Sequence, residues 1–283
     1  MPRVVLLVEY YGTNYHGWQA QKNSNLPTIQ QLIEIAISRV ADHPVTTVCA
    51  GRTDAKVHAK GQILHFDTST QRKIDSWIFG INSYLPRDIR VLSAQYVPLE
   101  FDARKSALYR TYDYIIYNSK ISPSLFRNYL SWQYKDLNIE AMKQAANFWI
   151  GEHDFSSFRG KDCQSKTTVR KVYKITCQRK EQLIIISITA NAFLKHMVRN
   201  MVGLLIKIGQ GTNAGTNHNA CTNNYDRQYQ PELAKKVLLA KNRTAASITA
   251  PPEGLYLVNV EYPEKFNIIP TSPIQAQLLS MLI

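Results

Sequence analysis

The chain has no pair of cysteines spaced for a metal. Its four cysteines, Cys49, Cys163, Cys177 and Cys221, are widely scattered, and without a C-x-x-C pair a structural zinc site has no basis. No apolar run reaches the roughly 18 residues that a membrane-spanning helix needs. Neither a P-loop nor a dinucleotide fingerprint is present, and no cofactor is expected. Acid is also scarce: 21 Asp and Glu stand against 34 Lys and Arg, giving a net charge of +13. That excess points to a polyanionic partner, and nucleic acid is the commonest one. The opening Met1-Pro2-Arg3-Val4 runs straight into a strand and lacks the marks of a signal peptide. A cytoplasmic protein with reduced thiols is the expectation.

What is present reads as globular. The 283 residues are 45% apolar and 19% charged, long enough for a real core. Sixteen Tyr, nine Phe and four Trp supply core and surfaces for base stacking. Residues 3–10 read as a buried strand. Pro27-Thr28 opens a helix, with Thr28 and Gln31 at capping-box spacing, and Ile29, Leu32, Ile33, Ala36 and Val40 repeat at helical period. A strand at 45–50, a polar turn, a strand at 62–67, a helix at 74–85 stopped by Pro86 and a strand at 89–97 follow. The order then recurs: strand 107–118, helix 138–150, strands near 168–178 and 182–190, helices 192–208 and 232–241, and strand 254–262.

The fold class is therefore α+β: two ferredoxin-like, βαββαβ-type halves. Their sheets are expected to join into one mixed, mainly antiparallel sheet with helices on one side and a central basic cleft. The halves are expected at 1–100 and 101–268, with a hinge at Pro98–Ser106 and a tail at 269–283. Residues 209–230 form a polar loop that is long for a compact domain.

One stretch concentrates chemistry. Between two apolar runs, Gly51-Arg52-Thr53-Asp54-Ala55-Lys56-Val57-His58 makes a tight polar turn with a single carboxylate. Arg52, Lys56, His58 and Lys60 surround Asp54, and nearby positive charge favours the ionised acid. Asp54 is thus a candidate nucleophile for an anionic substrate; the plainer alternative is an aspartate that caps a turn. Arg199 is the second singular residue. In a helix at 192–208, Val198, Val202, Ile206, Phe193, Met197, Met201, Leu204 and Ile208 surround it, and a helix apolar nearly all round is buried. A buried guanidinium needs an acid, since breaking such a pair costs about 3–5 kcal/mol. Asp54 is a natural candidate; Glu152, Asp154 or another structural acid is the alternative.

Six motifs, in order, resemble the tRNA pseudouridine synthase A family. They are the Asp54 loop, Tyr10-Tyr11-Gly12-Thr13-Asn14-Tyr15-His16-Gly17-Trp18-Gln19, Tyr109–Asn118, Gly151–Arg159, Asn191–Gly203 and Ala250–Leu257. The resemblance spans about residues 3 to 262. It implies a cofactor-free and metal-free isomerase that converts uridine to pseudouridine at positions 38, 39 and 40 of the tRNA anticodon stem-loop, acting as a homodimer. It makes Asp54 the nucleophile, Arg199 its ion-pair partner, and Tyr112 the residue packed on the target uracil and a candidate base for the C5 proton. Arg52, Thr53, Lys56, His58 and Gln62 become substrate contacts, while His196 reads as a structural histidine inside its helix. Lys56 stands where the family usually carries glycine; if that position needs positive φ, lysine costs about 1 kcal/mol. Two other classes remain to be separated by experiment: a catalytically inactive tRNA-binding protein of the same fold, and an N-glycosidic hydrolase, for which no second carboxylate pairs with Asp54.

Overall fold

The computed structural model describes residues 1–20, 26–213 and 227–268. Most of the polar loop expected at 209–230, the expected tail at 269–283 and Cys221 lie outside them. In chain order the regular elements are β1 (Arg3–Tyr10), α1 (Ile29–Ala41), β2 (Val48–Cys49), β3 (His58–Asp67), α2 (Ile74–Tyr84), β4 (Ile89–Val97), β5 (Tyr109–Asn118), β6 (Ser131–Gln133), α3 (Ile139–Asn147), β7 (Gly151–Asp154), β8 (Val169–Lys180), β9 (Leu183–Ala190), α4 (Met197–Gln210), β10 (Thr212–Asn213), β11 (Arg227–Gln228), α5 (Leu233–Ala240) and β12 (Leu255–Glu261). The chain is α+β, with mixed, mostly antiparallel strands flanked by helices.

The described residues fall into two compact units, one from 1–112 with 255–268 and one from 113–254. In the first, the strand order is β4-β1-β3-β12. β1 runs antiparallel to both β3 and β4. The short β2 pairs with β3 near Leu64 and His65, while β12 pairs in parallel with its other end, Tyr256 opposite His58 and Leu257 opposite Ala59. That parallel pairing brings a strand from late in the chain into the first unit, whereas the order of elements in the sequence places it in the second half. Two residues of the segment expected as a hinge are anchored. Phe101 and Ala103 are fully buried, Arg3 donates to the carbonyls of Leu99 and Phe101, and Phe101 meets Tyr262 and Phe266 ring to ring.

The start of α1 differs in its chemistry. Thr28 is the N-cap with extended backbone, but its side chain makes no cap bond. The carbonyls of Gly17 and Trp18 take the Ile29 and Gln30 N–H groups, so a preceding loop replaces the capping box. Trp77 and Ile81 of α2 are fully buried, and Leu85 turns extended before Pro86, as proline requires of its predecessor.

In the second unit the order is β5-β9-β8-β7. β9 alternates buried and half-buried residues, the signature of a sheet with one covered face. Trp149, Phe155 and Phe158 form an aromatic cluster there, and α4 buries eleven of its residues. α4 begins at Met197, five residues later than its apolar run suggests. Residue 196 has φ 62°, outside the helical region, and the Met197 N–H bonds back to Leu194 in a turn. His196 is therefore the N-cap residue and half-exposed, not interior to the helix. Beyond α4, β10 and β11 pair in a two-residue ladder. No helix among the described residues is long and apolar enough to cross a membrane.

Burial also sets the alkaline limit of the fold. It pushes the Cys49 and Cys177 thiols up to about 12, and raises the Tyr10, Tyr112, Tyr114 and Tyr262 phenols above their ordinary 10.0. The unfolded chain releases these protons near 9.0 for thiols and 10.0 for phenols, whereas the folded chain holds them. Stability is thus full below the thiol value and falls as pH rises past it, by about 1.4 kcal/mol per pH unit for each group titrating only when unfolded. Urea unfolding midpoints measured from about pH 8 to 11 will stay level and then decline.

Candidate active site

The Asp54 turn has no regular structure of its own, so its backbone groups must be satisfied by neighbours. The loop that follows β1 does this. Trp18 N–H donates to the Thr53 carbonyl at 3.0 Å, and Lys56 N–H donates to the Tyr15 carbonyl at 3.2 Å. Within the turn, Val57 N–H donates to the Asp54 carbonyl at 3.2 Å. The contact at Gly12 is so close that a Cβ there would lie 2.0 Å from the Val57 oxygen. Only glycine fits, and its N–H donates to His58 Nδ1 at 3.0 Å.

Neutral side chains complete the footing. The Tyr10 and Thr53 hydroxyls share a hydrogen bond of 2.7 Å. Gln62, fully buried, donates from Nε2 to the Gly51 carbonyl at 2.7 Å while its Oε1 accepts the Gly51 N–H at 3.4 Å. His58 opens β3 rather than lying in the loop; it is 1% exposed and stacks between the rings of Tyr11 and Tyr256. Thr53, His58 and Gln62, expected as substrate contacts, are thus all buried. Arg52 and Lys56 are exposed and Asp54 half-buried.

From below, Arg110 reaches the same loop. It is 8% exposed, and it donates to the carbonyls of Ala50 (3.2 and 2.9 Å), Arg104 (2.6 Å) and Ala107 (3.3 Å). Burial lowers its affinity for its proton. Tyr112, on the same face of β5, is 7% exposed. A Cβ placed on Gly51 would sit 3.5 Å from the Tyr112 hydroxyl. Burial first, and the Asp54 charge second, raise the Tyr112 phenol well above its ordinary value, so it stands protonated beside the carboxylate. Arg110 and Tyr10 fall inside two of the motifs quoted from the sequence, which give neither a part.

Arg199 belongs to the second unit. It lies in the first turn of α4 and is half-buried, not enclosed as the apolar run suggests. Its Nε donates to the Ala250 carbonyl at 2.8 Å, and its own carbonyl accepts the Ala250 N–H at 3.1 Å. Of the other acids considered for it, Asp154 accepts from the Ser156 N–H and hydroxyl and pairs with Lys241 at 3.7 Å. Glu152 is exposed on β7. Among the described residues no group of three or more His, Cys, Asp or Glu is placed to hold a metal ion.

This arrangement can hold one carboxylate at a fixed place beside a protonated phenol, under exposed cations. The sequence profile of a family described as tRNA pseudouridine synthase matches residues 6–104 and 145–263. The chain belongs to the tRNA pseudouridine synthase family. Asp54 and Arg199 lie inside the matched residues, and Tyr112 lies between the two stretches. Proteins named tRNA pseudouridine synthase A are similar over nearly the whole length. One from Coxiella burnetii (strain Dugway 5J108-111) is 46% identical over 95% of this chain and 96% of its own. One from Legionella pneumophila (strain Lens) is 45% identical over 96% and 97%. A solved H/ACA ribonucleoprotein bound to a substrate RNA containing 2'-deoxyuridine aligns with 72% of this chain and 44% of that chain, at 11% identity and a TM-score of only 0.34. As a pseudouridine synthase the chain is an isomerase.

Lys56 has φ 64°, the left-handed region that costs a non-glycine residue about 1–2 kcal/mol. Lys56→Gly relieves that strain and gives back part of it through the looser unfolded chain, so it will raise stability by about 0.5–1 kcal/mol. Gly12→Ala forces the Val57 carbonyl away and will cost about 1–3 kcal/mol. Thermal unfolding of both variants checks the pair of signs.

Proposed function

We propose that the chain isomerises uridine to pseudouridine at positions 38, 39 and 40 of the tRNA anticodon stem-loop, with Asp54 as nucleophile. The observation that carries the assignment of the nucleophile is a single half-buried carboxylate on a turn clamped from two sides, with the protonated Tyr112 in its field. Basic surface holds the phosphates, so affinity falls with salt. The target uridine leaves the stack at a cost of a few kcal/mol. Asp54 attacks ribose C1′ or uracil C6, or assists a glycal route by taking the C2′ proton. The N1–C1′ bond breaks and the uracil turns; C5 bonds to C1′ as the bond to Asp54 breaks, or as the proton returns to C2′ on the glycal route; the C5 proton leaves and N1 takes up a proton.

In this reading Arg199 pairs with Asp54 and keeps it charged. Arg52 and Lys56, exposed on the turn, contact the RNA backbone. Thr53, His58 and Gln62, being buried, act by holding the turn rather than by touching RNA. Tyr112 packs on the uracil and enters the reaction as a neutral phenol; it can take the C5 proton only after substrate changes its surroundings. The first unit carries Asp54 and Tyr112, and the second carries Arg199. A homodimer bound to tRNA, in the cytoplasm, completes the proposal.

The test uses an unmodified tRNA transcript tritiated at uridine C5, with no metal or cofactor added. Wild type will release tritium and yield pseudouridine in the anticodon arm, and Asp54→Ala will release none above background while still binding tRNA. Tight binding without release by wild type would make the chain an inactive binder; free uracil would make it a hydrolase.

A further inference from the structure

Arg199 is held by something more specific than its helix. The Ala250 backbone grips it twice, once at the side chain and once at the main chain. The question is what fixes Ala250. It ends a stretch, 241–250, that has no helix or strand to anchor it beyond one short 3-10 turn at Arg243–Ala245. Two devices press this stretch onto α4.

The first is a close approach. Gly203 lies one turn beyond Arg199, and a Cβ there would meet the Ile248 carbonyl oxygen at 1.9 Å. The main chain of the strap therefore lies directly on the main chain of the helix. The second is a polar knot around Asn200, which is fully buried. Its Oδ1 accepts from the Thr249 hydroxyl at 2.6 Å and from Arg243 Nη2 at 3.0 Å. Its Nδ2 donates to the Phe158 carbonyl at 2.7 Å. Arg243 Nη2 also donates to Thr249 Oγ1 at 3.0 Å, and Nη1 donates to the Ser247 carbonyl at 3.1 Å. Arg243 thus ties both ends of 243–249 to the residue next to Arg199.

We propose that Arg243, Asn200 and Thr249 are positioning residues for the reaction, orienting the Arg199 guanidinium through the Ala250 carbonyl. The inference rests on Arg199 acting at the reaction centre, as proposed above. A guanidinium is planar, so anchoring Nε to a fixed carbonyl sets the plane of the fork and the direction of its terminal nitrogens. An Arg199→Lys chain would carry the charge but no such plane, and the orientation of Ala250 would then matter little. The knot closes on the buried Asn200, whose Oδ1 and Nδ2 are both bonded, and a satisfied buried polar group of this kind rigidifies its surroundings.

The test is a double-mutant cycle on tritium release, with unfolding followed alongside. In the wild-type background Arg243→Ala will lower kcat about tenfold and leave KM for tRNA within about twofold, an interaction felt in the transition state alone. In the Arg199→Lys background the same change will cost less than about threefold in kcat. If Arg243→Ala unfolds the chain, Thr249→Val carries the cycle, with a smaller loss in the same direction that again disappears in the Arg199→Lys background. An equal loss of kcat in both backgrounds, or a lowered Tm with unchanged kcat, would overturn the inference. Wild-type kcat in Arg199→Ala would overturn the assignment of Arg199 itself, and the positioning role with it.

Discussion

The structure of the first unit depends on an irregular turn being held without help from any ladder. A backbone N–H or carbonyl left unpaired in a buried place costs about 1–3 kcal/mol, and the turn at 51–57 has several such groups. The solution is a second irregular loop laid against it, so that each supplies what the other lacks: Trp18 and Lys56 donate in opposite directions across the contact. Close approach is what makes this possible, and Gly12 is where it is closest. The same loop also gives its Gly17 and Trp18 carbonyls to the start of α1. Helix, loop and turn form one hydrogen-bonded unit, so a disturbance at α1 is felt at Asp54.

Beneath this contact lies Arg110, a buried cation that donates to the main-chain carbonyls of Ala50, Arg104 and Ala107. Carbonyl dipoles help a guanidinium to be buried without adding negative charge near Asp54. The cost of burial appears in the lowered proton affinity of Arg110. Its positive field also opposes, in part, the rise in the Tyr112 phenol. Arg110 and Asp54 therefore act on the same phenol with opposite signs, and burial outweighs both.

Much of this is legible in the residues, and the gaps have physical causes. Periodicity locates α1, α2 and α5 closely, because each has a clear apolar stripe. It misplaces the start of α4, since Phe193 and Leu194 continue the apolar run while the backbone at His196 leaves the helical region. The Asp54 turn is visible as a lone acid among cations, and the family's usual glycine at position 56 already signals the positive φ that Lys56 adopts. What local pattern does not reveal is long-range pairing. β12 joins β3 across almost two hundred residues of chain, and within 98–106, polar enough to read as a hinge, Phe101 is buried against Tyr262 and Phe266.

Thr53, His58 and Gln62, expected as substrate contacts, lie buried in the support of the turn, and this points to how the site is built. A polar residue beside a nucleophile looks functional in sequence whether it faces substrate or backbone. Here the side chains that hold the turn itself are uncharged, with the buried Arg110 beneath it at Ala50: Tyr10, Thr53 and Gln62 bond through hydroxyl and amide groups, and His58 offers an accepting nitrogen to Gly12. The cations on the turn, Arg52 and Lys56, are left exposed. A neutral support fixes geometry without a strong field, while exposed cations act on an incoming polyanion and are screened by salt. Position and charge at Asp54 are thus set by different residues, which is why a substitution in the support should move the turn and one at its rim should move the RNA.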